Sequence, residues 1–450
     1  MASFADSLTD GGIPASTVTS MPGVTARPRA MAYYVLALLC LISLLGYYDR
    51  YLVAILVESI KHDLGVSDAQ IGLLTGFAFA LVYSLMAVPV ARYSDGGRRV
   101  MVLGCSLLVW SAMTALCGLA PGFLVLLVAR LGVGMGEAGG IPSTHALVSD
   151  TFPARWRATA LSATVVIGGL GFMIANAAGG WVADHCGWRA AFLVGAVPAP
   201  FLAFLLFTTV REPSKAPISE TSHTNSSPAD QPMTIRGAVS LLLSRRSYAL
   251  LCAGMALATV GSAATLNWIP AFLMREYGLK ASEVGSSYGL IMGLATIAAL
   301  LVGGMLGDLL ARIDPRWAIR LPAASFVLAT PLTLMFLFAP NLHAALWLAA
   351  PMTLFASLAT TPAYALVQRL AGSGNRAMAT ALYLLIVNLF GMGSGPAIAG
   401  WLSDRLTAGF GTQALQYALA CVSFAYLLGG LLIACAAGTV ARDEVAANRN

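Results

Sequence analysis

Gly180-Trp181-Val182-Ala183-Asp184 closes an apolar run that opens at Arg157-Ala-Thr-Ala. Gly400-Trp401-Leu402-Ser403-Asp404 closes a second run, which opens at Arg376-Ala-Met-Ala-Thr-Ala. A third echo, at nearly the same spacing, is Asp95, after one apolar run, and Gly307-Asp308, at the end of another. Three marks in the same order at nearly constant spacing indicate a duplicated unit. Each half carries six apolar runs long enough to cross a bilayer, which takes about 20 residues. The runs cover 33–57, 69–91, 100–119, 122–147, 157–183 and 189–209, then 247–274, 284–310, 318–339, 342–367, 377–402 and 414–438. The sequence therefore predicts an all-α integral membrane protein with twelve transmembrane helices in two pseudo-symmetric six-helix bundles.

Composition agrees. Of the 450 residues, 58% are hydrophobic and 10% are charged, and the mean hydropathy is +0.78. A water-soluble fold cannot hide that much apolar surface. The predicted division is a disordered tail at 1–30, an N-terminal bundle at 31–209, a linker at 210–246, a C-terminal bundle at 247–438 and a second tail at 439–450. The linker is rich in Ser, Thr, Pro and charge, and residues 1–30 lack the apolar core of a signal peptide.

Of the 26 Lys and Arg residues, nineteen fall on the side of the termini and linker, and five fall on the other. The positive-inside rule puts both termini in the cytoplasm, in a plasma or bacterial inner membrane. The same rule accounts for the net charge of +6 without nucleic acid. The seven cysteines include no CxxC pair and read as small apolar fillers, so neither a metal nor a disulfide framework is expected. There is no P-loop, GxSxG or HExxH, so no catalytic residue and no cofactor is expected. One chain already holds both bundles, so a monomer is the expected unit.

Two basic residues, Arg50 and Arg130, lie inside spans with Asp49 and Glu137. Charge at bilayer depth is costly and marks function by default. Asp49 lies sixteen residues into span 1, about 24 Å from its start at 1.5 Å per residue. Arg130 lies eight residues into span 4, which runs the opposite way, and so reaches a similar level. Glu137 follows two turns later on the same face. Asp49, Arg130 and Glu137 are thus expected along one cavity wall, with Asp49 and Glu137 carrying a proton and Arg50 and Arg130 holding an anion. Burial favours a neutral acid and a neighbouring guanidinium favours its anion, so one cluster can exchange proton for substrate. The competing reading is a static Asp49–Arg50 or Asp49–Arg130 pair that joins spans. Pro142 is expected to kink span 4.

Further substrate contacts are expected from Tyr47, Tyr48, Tyr83 and Asn176 in the first half, and from Asn267, Tyr364, Tyr383 and Asn388 in the second. The second half has no ionisable residue deep in a span. Its wall is expected to be apolar, with Trp268, Phe355 and Phe390. His145 is a candidate relay, and Glu58 a solvated rim residue. At a turn on the terminal side, Asp95, Arg98 and Arg99 suggest a gate, with Asp150, Arg155 and Arg157 as partners, because Arg favours bidentate pairing.

With Ala91-Arg-Tyr-Ser-Asp95-Gly-Gly-Arg98-Arg99 and Arg130-Leu-Gly-Val-Gly-Met-Gly-Glu137, the chain resembles the major facilitator superfamily over residues 33–438. Ala91 stands where that family usually has Gly, and Gly96 where a basic residue follows the Asp. Tyr48-Asp49-Arg50, Gly136-Glu137-Ala138, Ser143-Thr144 and Asp150-Thr-Phe152-Pro resemble its spinster-like branch. That resemblance implies alternating access and proton-linked transport of an amphipathic anion such as a lysophospholipid or sphingolipid-like molecule, with Asp49 and Glu137 as protonation sites. A proton symporter for small organic or aromatic carboxylates is the alternative.

Overall fold

The computed structural model describes residues 30–212, 235–314, 316–371, 376–440 and 442–443. Nearly all of the predicted tail at 1–30, most of the linker and most of the last tail lie outside the described residues. Ten spans are α1 (Ala30–Leu64), α2 (Asp68–Ser94), α3 (Arg99–Gly118), α4 (Phe123–Thr151), α5 (Ala154–Cys186), α6 (Trp188–Thr209), α7 (Arg246–Tyr277), α8 (Ala281–Ile313), α9 (Trp317–Leu337) and α10 (Leu342–Ala371). The remaining apolar stretch, Met378–Ala436, is 59 residues long. As one helix it would extend about 88 Å, far beyond a bilayer. It reverses instead at Gly411, whose φ of +54° suits a residue without a Cβ, and at the 3₁₀ turn Gly411–Gln413. The result is α11 (376–410) and α12 (Ala414–Ala436), twelve spans in all.

Several helices overrun their apolar runs because flanking polar residues continue the backbone hydrogen bonds. The last part of the stretch expected to be a linker forms a helix, Ile235–Ser244, packed on α7 and α11. α2 opens on a capping box, in which Gln70 N donates to Ser67 Oγ (3.2 Å) and Ser67 N donates to Gln70 Oε1 (2.9 Å). α7 ends at Gly278 in the left-handed region (φ +66°).

Spans 4 and 10 share a break. In α4 the helix stops at Glu137 and restarts at Gly140; in α10 it stops at Leu358 and restarts at Thr360. Pro142 and Pro362, at the spacing that also relates Gly180 to Gly400, cause this: each lacks an N–H, and its ring crowds the carbonyl four residues back. Glu137 therefore ends a helical segment, and its counterpart in the second bundle is Ser357.

The bundles meet through α1 and α7, α2 and α11, and α5 and α8. Small residues permit the approach. A Cβ on Gly72 or Gly76 would overlap the carbonyls of Pro396 or Gly393, and one on Gly285 that of Asn176. Both α2 and α8 pass these glycines in a π-helical turn, Leu73–Phe77 and Gly285–Gly289. These contacts lie on the side away from the termini, the far side. On the terminal side, the ends of α4 and α10 pack mainly within their own bundles. Among the described residues, contact between the bundles therefore concentrates on the far side.

Candidate transport site

Asp49 and Arg50 are neighbours on α1, and successive helical residues point about 100° apart. Asp49 turns into the first bundle, is 2% exposed, and accepts a hydrogen bond from the Thr114 hydroxyl on α3. Arg50 turns toward α2 and α4, and its side chain is 22% exposed. It donates to one oxygen of Glu137, from Nη2 at 2.6 Å and from Nε at 3.1 Å. Its guanidinium also lies over the rings of Phe79 and Tyr83, 4.9 and 5.1 Å from their centroids, and the two rings stack at 5.6 Å. The ring faces are electron-rich and complement the cation.

Arg130 is 1% exposed. Its Nη1 approaches the main-chain carbonyl of Asp49 at 3.5 Å, and its guanidinium lies 5.6 Å from the Phe79 centroid. Three buried atoms in this cluster, Asp49 Oδ1, Arg130 Nε and Glu137 Oε1, have no hydrogen-bond partner. The two bare carboxylate oxygens leave room for a proton, and the bare N–H for a polar guest.

This geometry corrects the single wall expected from sequence. Asp49 and Arg130 lie within the first bundle, because α4 at Arg130's level packs on α2 and α3 and its guanidinium reaches the α1 backbone; Met113 fills the space beside Gly132. Neither Asp49–Arg50 nor Asp49–Arg130 forms an ion pair within 4.0 Å among the described residues. The pair that forms is Arg50–Glu137.

Other expected contacts divide. Tyr83 is half-buried under Arg50, and Tyr47 packs on Gly168. Tyr364, on α10, is half-buried. Asn388 is half-buried in the π turn of α11, and Phe390 is exposed. Tyr48 is corrected: it is buried against Gly195, and its hydroxyl approaches the Ala191 carbonyl at 3.5 Å. Tyr383 is corrected too, being buried in the second bundle with its ring 5.2 Å from that of Tyr364. Asn176 is buried, donates to its own helix at Phe172 and fills the space between Gly285 and Gly289; it spaces the bundles rather than lining a path. Asn267 donates to Ala263 one turn back. Trp268 is buried and donates to the Pro396 carbonyl (2.9 Å), so it joins α7 to α11 instead of forming an apolar wall. Phe355 packs on the second bundle's core, and His145 is exposed.

At the terminal turn, Arg99 pairs with Asp150, Arg98 lies over the Tyr93 ring at 4.9 Å, and Arg157 donates to the Phe152 carbonyl at 3.0 Å. The side chain of Asp95 lies outside the described residues. These contacts stay within the first bundle. Glu212, unmarked by sequence reasoning, caps the start of α3 by accepting from Val100 N at 3.1 Å. Its only signal was an acidic residue just beyond a span.

Sequence reasoning also missed the far-side charges. Arg275 on α7 binds Asp68 on α2 (2.8 Å) and Glu58 on α1 (2.7 Å), so Glu58 is a cross-bundle partner and not a solvated rim residue. Lys61 and Ser403 also hold Asp68, at 2.5 and 2.7 Å.

The model of the family described as Major Facilitator Superfamily matches residues 39–396. The chain belongs to the Major Facilitator Superfamily. Among relatives within this superfamily, an MFS-type efflux pump of Mycolicibacterium smegmatis is 34% identical over 402 residues, covering 89% of this chain and 91% of the pump. Protein spinster homolog 1 of Rattus norvegicus is 27% identical, with 90% of this chain and 81% of that protein covered. The fold also matches the crystal structure of a bacterial homologue of the human lysosomal transporter Spinster in an inward-facing, unoccupied conformation. Its TM-score is 0.83 at 24% identity, with 93% of this chain and 99% of that one covered. This Major Facilitator Superfamily member is a multi-pass membrane transporter related to spinster proteins.

Proposed function

We propose that the chain is a proton-coupled secondary transporter of an amphipathic anion, of the lysophospholipid or sphingolipid-like class, working by alternating access. The carrying observation is the Arg50–Glu137 pair on the first bundle, beside buried Asp49 and opposite a second bundle with no charge at that level. A proton arriving on Glu137 neutralises its carboxylate and frees the Arg50 guanidinium for a substrate anion. Deprotonation restores the pair and displaces the anion. Removing only one member of a buried pair costs about 3–5 kcal/mol, so the two exchanges are linked. Asp49, with one oxygen on Thr114 and one bare, is a second proton carrier in this reading. The uncharged wall, with Tyr364, accommodates the apolar body.

The nineteen-to-five division of basic residues supports cytoplasmic termini, a cytoplasmic 210–246 linker and a plasma or bacterial inner membrane. Asp95, Arg98, Arg99, Asp150 and Arg157 then form a cytoplasmic gate that engages when that side closes. The efflux-pump relative supports an export assay as well as uptake. Small aromatic carboxylates are the second reading, favoured by the Phe79–Tyr83 stack beneath Arg50. The test is transport into proteoliposomes of lysolipid and aromatic-acid panels, with and without an imposed pH gradient. Gradient-dependent accumulation of lysolipid supports the first reading; accumulation of aromatic acids alone selects the second.

A further inference from the structure

The two aspartates that end the repeated Gly-Trp-x-x-Asp segments each reach a helix of the opposite bundle. Asp404, at the far end of α11, accepts hydrogen bonds from the first-turn amides of α2: Asp68 N at 3.0 Å and Ala69 N at 2.8 Å. Asp184, at the far end of α5, accepts one from Ser282 N of α8 at 2.8 Å. Ala69 and Ser282 stand at the same spacing in the chain as Asp95 and Asp308. The duplicated fold thus makes the same contact twice. Its backing is duplicated too: Gly400 lies against the carbonyl of Asp68, and Gly180 against that of Ala281, both too closely for a Cβ.

First-turn amides have no partner within their own helix, and the helix dipole favours an anion there. Here the anion comes from the bundle that must move away. A contact made in one state and absent from the other shifts the balance between them. We propose that Asp184 and Asp404 are matched far-side gate residues whose caps hold the outward-closed state. Releasing them is a step in opening toward the far side. The proposal rests on alternating access by the two bundles.

The latches are unequal. Asp404 takes two amides, and its partner Asp68 is held further by Arg275, Lys61 and Ser403. Asp184 takes one amide, and the residue matching Asp68 is Ala281. The α5–α8 seam is the weaker one.

The test is electron–electron distance measurement on the full chain in nanodiscs, without substrate. Cys40, Cys105, Cys186, Cys421 and Cys435 are replaced by alanine. Spin labels go on the far-side positions His62 with Ala408, and His185 with Glu276. Asp404→Ala should raise the long-distance, far-side-open population about tenfold and Asp184→Ala about threefold, as expected for losing two hydrogen bonds and one, each at the low end of the net worth of a hydrogen bond at a solvated site. Asp→Asn at either site keeps an acceptor oxygen and should fall between parent and alanine. Asp63→Ala is the control, since Asp63 pairs with Arg189 of its own bundle. Parent-like distributions in both alanine variants would overturn the proposal, as would an equal shift in Asp63→Ala. Should the alanine variants fail to fold, a parent-like distribution in the Asp184→Asn, Asp404→Asn double variant overturns it. The readout uses neither substrate nor proton, so its failure leaves the coupling reading intact.

Discussion

Arg50 spends two N–H groups on a single oxygen of Glu137, while the other carboxylate oxygen is buried and bare. A symmetric fork-to-fork pair would satisfy both oxygens. This one-sided pair leaves Glu137 a free oxygen where a proton can sit without first displacing the arginine.

Glu137→Gln should therefore abolish accumulation driven by a pH gradient, while exchange of substrate at equal pH survives. It also strands Arg50, at a cost of about 3 kcal/mol or more. Arg50→Met in the same background should recover most of the lost thermal stability without recovering accumulation. A stable Glu137→Gln, Asp49→Asn variant that still accumulates substrate to the parental level would end the coupling reading.

Thr114→Val should destabilise the protein by about 1–3 kcal/mol, because it removes the hydroxyl that serves buried Asp49. Adding Asp49→Asn removes the charge and should restore part of the loss. Melting curves of the two single variants and the double variant give the coupling. Additive losses would show that the hydroxyl and the carboxylate act independently.

Arg130→Lys separates the wall expected from sequence from the buried position found here. An arginine on the wall would lose affinity for substrate with little change in melting temperature. A buried guanidinium between Asp49 and Phe79 should give the reverse: substrate affinity within about twofold, and a stability loss of about 1 kcal/mol or more, the net worth of one hydrogen bond. Binding isotherms and melts on the same preparation decide.

Topology is checked with thiols. Cys186 is exposed at the far end of α5, and an impermeant maleimide on intact cells should label it. A cysteine introduced as Ser222→Cys, in the linker, should stay unlabelled until the membrane is permeabilised. Labelling of Ser222→Cys from outside would reverse the assigned orientation.

Much of this was legible in sequence, for identifiable reasons. Span number follows from apolar runs and the repeat, because lipid forces a spanning backbone into a helix or a closed barrel, and unbroken apolar runs of about 20 residues fit only the helix. The break beside Glu137 follows from Pro142. Pairing does not follow, because the rotation of each helix about its axis decides it. Asp49 and Arg50 are adjacent, yet one meets Thr114 and the other Glu137. Trp268 and Tyr383 look like wall residues by type, but close packing of the second bundle absorbs them. The aspartates at 184 and 404 are visible as a repeat, but nothing linear says that each caps a helix of the other half.

The three-residue turn between α11 and α12 shapes how the second bundle folds. Met378–Ala436 holds apolar material for two crossings, with only Gly411–Gln413 between them. So short a turn holds the ends of α11 and α12 side by side. The last two spans therefore pair with each other as a helical hairpin, a contact local in sequence. The second bundle closes around α7 only when this hairpin docks, because α7 packs against both of its arms.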